Sequence, residues 1–202
     1  MLIKLLSKDD KNSLVSIAEF LSISDKPLLW NGKSMDEASA HIHDDDVIFS
    51  FARGEAESAL LADWRKIPVE DSQASWLFMP AGRSGCYGKD ATEAEKDFID
   101  ILRKVPLKLD NAAAEVRASA VSTVLRKLHE ENKVSSNYAV RIVIFELMLM
   151  AFADGKISPI EFHVLRDLQH HYGVDDENFY EILEQAETVS KVSQKTLALI
   201  LE

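Results

Sequence analysis

Apolar positions along this chain recur mostly at the helical period. Within Lys11–Ser24, Leu14, Ile17, Ala18 and Leu21 share one face, and Asp25-Lys26-Pro27 closes the segment because a residue before proline avoids helical angles. Trp30-Asn31-Gly32 reads as a turn. From Thr92 onward the pattern is helical to the last residue. Thr92 and Glu95 have capping-box spacing, Phe98, Ile101, Leu102 and Val105 form a stripe, and Pro106 ends it. Asp110 or Asn111 can cap a further helix that turns Val116, Ala120, Val121, Val124, Leu125 and Leu128 inward. Ile142–Ala153 holds a single charged residue, Glu146, so the Tyr138–Ala153 helix is expected at the centre of the fold. Ser158 and Pro159 open the next helix, with Ile160, Val164, Leu165 and Leu168 as its core face, and Gly173 closes it. Asp175 caps another, with Phe179, Ile182 and Leu183 inward, and Leu197–Leu201 makes a last helical stripe.

Residues from about 33 to 90 differ in kind. Five of the seven glycines lie between Gly32 and Gly88, and all three tryptophans fall at Trp30, Trp64 and Trp76. Val47, Phe49 and Phe51 alternate with Ile48 and Ser50, which predicts a short strand; Ser75–Met79 predicts a second. Glu55–Lys66 between them predicts a helix with Leu60, Leu61 and Trp64 inward. The expectation is a mainly α domain over residues 1–202, interrupted near 33–90 by an insertion with a small β element.

Composition narrows the function classes. A formal net charge of −11 repels phosphate backbones, so nucleic acid is not an expected partner, whereas cations and basic proteins are attracted. No apolar run is long enough to span a bilayer, and Met1–Leu6 is too short for a signal peptide. The lone Cys86 forms no internal disulfide. A cytoplasmic location is expected.

The candidate chemistry centres on Ala153-Asp154-Gly155-Lys156-Ile157-Ser158-Pro159-Ile160-Glu161-Phe162. Asp154-Gly155 followed by Glu161 coincides with the second half of a calcium loop, but Met150 and Phe152 stand where the first ligands belong, which excludes a standard EF-hand. Two other readings stay open. Ser158 and Glu161 have capping-box spacing, and Asp154 lies where it favours the positive end of the helix, which explains both acids structurally. Alternatively, the carboxylates hold a hard divalent cation.

Leu149–Glu161, continued by Leu165, Leu168, the Tyr172-Gly173-Val174 break and the Asp175 cap, resembles the TerB-like family: tellurite-resistance TerB proteins and the related N-terminal domain of membrane-anchored DnaJ-like co-chaperones. The resemblance covers about fifty residues. It implies an all-helical bundle with two related halves and an acidic, metal-binding patch at their joints. Phe20–Leu28 lies on Leu149–Ile157 without a gap, so that Asp25 corresponds to Asp154; Asp36 or Glu37 would then stand in for Glu161. The implied site is Asp25, Asp154 and Glu161, the implied cofactor a divalent ion such as calcium, magnesium or zinc, and the implied function a non-enzymatic, acidic stress-response adaptor with a protein partner. The alternative is a metal-free interaction module using a helical groove and the Trp-bearing insertion.

The remaining candidates are weaker. His41, His43 and Asp45 share one face of an extended chain and suit zinc or nickel, but a polar loop explains them as well. His163, His170 and His171 read as a solvated helix face. Gly82–Asp90 fails as a phosphate loop because Asp90 stands where Ser or Thr must bind magnesium. Arg83 and Lys89 lie near Cys86 and would favour its thiolate, which leaves an enzyme as the third reading. Glu146 in its apolar helix needs a partner, and Arg141 is one residue off the favoured spacing.

Overall fold

The computed structural model describes residues 2–34, 47–66, 87–88, 91–104 and 114–201. A short 3-10 turn, Leu2–Leu5, leads into α1 (Lys8–Ser24), β1 (Leu28–Trp30), β2 (Phe49–Phe51), α2 (Glu55–Lys66), α3 (Glu93–Arg103), α4 (Ala114–Glu131), α5 (Asn137–Ala151), α6 (Pro159–Tyr172) and α7 (Asp176–Leu201). The fold is mainly α with a small β element, as the periodicity implies. The second predicted strand, Ser75–Met79, the Asp110/Asn111 cap, and Asp36 and Glu37 lie outside the described residues.

α5 occupies the middle. Val143, Ile144, Leu147 and Met148 are fully buried, and the helix packs against the 3-10 turn, α1, α2, α6 and α7. Its one acid, Glu146, is also fully buried. The partner is not Arg141: the carboxylate accepts the backbone N–H groups of Leu2 and of Ile3, the latter at 3.1 Å. Helix-start N–H groups lack intrahelical acceptors, so the 3-10 turn is satisfied by Glu146 Oε1, while Oε2 has no hydrogen-bond partner among the described residues.

α1 begins earlier than its apolar stripe. Ser7 caps it, accepting the Asp10 N–H at 3.2 Å, and Asp10 in turn accepts the Ser135 N–H and hydroxyl at 2.7 Å each, which ties α1 to the segment before α5. Trp30 belongs to a strand rather than a turn: β1 and β2 are antiparallel, with Leu28 opposite Phe51 and Trp30 opposite Phe49. The turn itself falls on Asn31 and Gly32, both at positive φ. Phe51 stacks on Phe98 with centroids 5.2 Å apart, and Phe98 meets Phe20 edge-on at 5.4 Å, so the sheet joins the helical core through a chain of rings. Leu61 and Trp64 of α2 face inward as expected.

At the other end, Gly173 takes the left-handed conformation, φ 65°, that stops α6. Asp175 then accepts the Asn178 N–H at 2.8 Å and starts α7. The last stripe is not a separate helix: α7 runs unbroken to Leu201, and Leu199 and Ile200 face solvent at 75% and 71% exposure.

Candidate functional site

The two predicted joints meet. α1 and α5 pack side by side, α1 also touches α6, and α5 touches α2, a reciprocal arrangement in which α1–α2 and α5–α6 play equivalent parts. The equivalence extends to the helix starts. Glu161 is the third residue of α6, and its carboxylate accepts the Ser158 N–H at 2.7 Å in a complete capping box. Glu57 is the third residue of α2, and its carboxylate accepts the Gly54 N–H at 3.2 Å. Glu57 thus stands to the start of α2 as Glu161 stands to the start of α6. The spacing signal was half missing, because Gly54 has no hydroxyl to complete the capping pattern.

Lys26 is the centre of the joint. Its Nζ lies 3.2 Å from Glu57, 3.4 Å from Asp25 and 3.6 Å from Asp154. Burial works against the ammonium, but Asp25, Glu57 and Asp154 together raise its affinity for the proton well above the ordinary lysine value. Arg117, buried on α4, fixes the backbone around it by donating to the carbonyls of Ser24 at 2.8 Å and Lys26 at 2.7 Å, which also satisfies the end of α1. Sequence reasoning missed Lys26 and Arg117: a lysine after a helix and an arginine within an alanine-rich stretch carry no local signal of what they meet across the fold.

The four carboxylates differ in environment. Asp154 is half-exposed, Asp25 mostly covered, and Glu57 and Glu161 buried. Burial pushes the Glu161 carboxyl up to about 7 against its Ser158 hydrogen bonds, and the charges of Asp25 and Glu57 push the same way. Burial also raises Glu57, offset by Lys26. The structure therefore brings Asp25 and Asp154 together on the Lys26 ammonium and places Glu161 within the field of Asp25 and Glu57.

As a cation cage the arrangement is incomplete. Lys26 supplies the positive charge, Glu57 and Glu161 each commit an oxygen to a backbone N–H, and among the described residues no group of three or more His, Cys, Asp or Glu side chains is arranged to hold a metal ion. A divalent ion at Asp25, Asp154 and Glu161 must first displace the Lys26 ammonium. Across the joint, Gly155 turns at φ 91°, and α7 covers the turn by donating from Ser190 and Gln194 to the Phe152 carbonyl at 3.2 and 3.4 Å.

The α6 histidines are not a uniformly solvated face. His163 Nε2 and Asp167 both lie 2.9 Å from the Ser122 hydroxyl of α4. The hydroxyl donates to the carboxylate and meets the imidazole nitrogen on its other side, so Ser122 clasps α4 to α6. His171 stacks on the buried His129 with centroids 4.0 Å apart. Cys86, His41, His43, Asp45 and Trp76 lie outside the described residues. No helix among the described residues is long and apolar enough to cross a membrane. No protein-family model, curated protein or solved structure matches the chain.

Proposed function

We propose that this protein is a non-enzymatic, TerB-like acidic adaptor of the cytoplasm, acting in stress response through a protein partner. The observation that carries the reading is the convergence of two equivalent helix joints on Lys26, which supports the two related halves that the family resemblance implies. The joint is a charge-regulated element: three carboxylates around one ammonium, with Glu161 protonating near neutrality beside them. Divalent-cation binding by Asp25, Asp154 and Glu161 is coupled to release of Lys26, since both cations need the same oxygens. The released lysine and the half-exposed Asp154 then change the surface offered to a partner.

Calorimetric titration with calcium, magnesium, manganese and zinc tests this on wild type, Lys26→Met and Asp154→Ala. Lys26→Met is expected to bind a divalent ion more tightly than wild type, by about tenfold or more for an effect of about 1.4 kcal/mol. Asp154→Ala is expected to bind more weakly. Equal heats in wild type and Lys26→Met reject the coupling, and no heat in any of the three rejects the metal part. The metal-free alternative rests on a helical groove and the Trp-bearing insertion; of the tryptophans among the described residues, Trp64 is buried and Trp30 packs on Phe49 at 5.2 Å, which favours structural roles for both.

A further inference from the structure

We propose that the cleft between α4 and the C-terminal end of α6, which shares no residue with the acidic joint, binds a small planar monocarboxylate. The cleft encloses about 620 Å³, within the range of small-molecule sites. Its wall is a layer of flat rings: His171 lies parallel over His129, and Tyr172 meets His171 edge-on at 4.7 Å. Leu125 and Val134 add apolar surface. A planar body slotted against this wall gains stacking and apolar burial together.

The mouth supplies the charge. Arg126 and Lys133 line the cleft, both are exposed, and among the described residues neither has an ion pair or a hydrogen bond. With 34 acidic residues against 23 basic ones, carboxylates are plentiful in this chain, yet among the described residues none engages this pair. The acid across the cleft, Asp167, is already engaged by Ser122. Two free cations beside an aromatic wall fit an organic anion, with the arginine fork suited to a carboxylate. Glu130 stands on the same face of α4 and, with the net charge of −11, penalises a dianion more than a monoanion. That selects a carboxylate over a phosphate. His129 itself is held neutral at pH 7: burial, then the proximity of His171, pushes it down to about 4.

The test follows the histidine ring resonances of the full chain by NMR during titration with benzoate. Acetate, benzyl alcohol and inorganic phosphate serve as probes lacking the ring, the charge and the single charge respectively. Benzoate is expected to shift His129 and His171 saturably at millimolar concentration and to bind more tightly than all three. The double variant Arg126→Gln/Lys133→Gln, altered only at exposed positions, is expected to keep its melting temperature and lose about tenfold in benzoate affinity. His171→Ala is expected to weaken benzoate while leaving acetate unchanged. No saturable shift, tighter binding of phosphate, or undiminished affinity in the double variant would overturn the proposal.

Discussion

Glu161 and His129 titrate in overlapping windows with opposite sign. Glu161 is raised from 4.5 to about 7, so across that interval the folded chain binds more protons than the unfolded one and stability falls as pH rises. His129 is lowered from 6.5 to about 4, so over that interval the unfolded chain binds more protons and stability rises with pH. Each contributes on the order of 1–3 kcal/mol, and between pH 4.5 and 6.5 the two offset. Glu161→Gln is expected to expose the rising slope and His129→Gln the falling one, both measured by denaturant unfolding at a series of pH values. Profiles parallel to wild type would contradict the assignments. Asp10 acts elsewhere: its Ser7 and Ser135 hydrogen bonds outweigh burial and hold it below the ordinary carboxylate range, so the stability it contributes is lost only as pH falls through more acidic values. Lys26→Met leaves Glu57 buried beside Asp25 without its ammonium, and is expected to cost about 1–3 kcal/mol at neutral pH. A neutral result would mean that the joint is already protonated.

Among the elements, the α5–α6 joint was the most legible in sequence, because its signals are local. Ser158, Pro159, Glu161 and Gly173 each act within one turn of where they stand, and the structure keeps all four in role. Ser158→Ala is expected to cost about 1 kcal/mol through the lost cap. Gly155→Ala is expected to cost about 1–3 kcal/mol for a different reason: φ of 91° is strained for any residue with a Cβ, although the nearest atom, Gln194 Nε2, leaves room at 3.8 Å. Thermal unfolding checks both; a gain in stability for Gly155→Ala would show that the turn relaxes freely. The first joint was less legible because some thirty residues separate Asp25 from Glu57, which lies inside the stretch read as an insertion, and a capping glycine hides the pattern. The clasp of Ser122 with His163 and Asp167, and the His129–His171 stack, were illegible for a related reason. Each joins α4 to α6 across some forty residues, and no spacing rule reaches that far.

For the whole molecule, burial is uneven. One hydrophobic cluster runs from Ile3 to Ala186, while in α7 residues 191–196 and 198–200 are exposed, and Ser190 and Gln194 donate to the Phe152 carbonyl. Substituting serine for both Leu199 and Ile200 is therefore expected to change stability by less than about 0.5 kcal/mol, whereas Gln194→Ala acts on the joint itself. The helical class followed from periodicity; the pairing of the two ends did not, since the contacts that bring α1 and α5 together, their shared core and the Asp10–Ser135 and Lys26–Asp154 links, join residues more than a hundred positions apart. The meeting of two joints on one ammonium is the claim on which the rest depends. Nitrogen-detected NMR of the lysine ammonium groups tests it directly. The account predicts a Lys26 signal protected from exchange and shifted by both Glu57→Gln and Asp154→Asn, one substitution from each half of the fold. A Lys26 signal that exchanges like the exposed lysines, or that ignores Asp154→Asn, would contradict it.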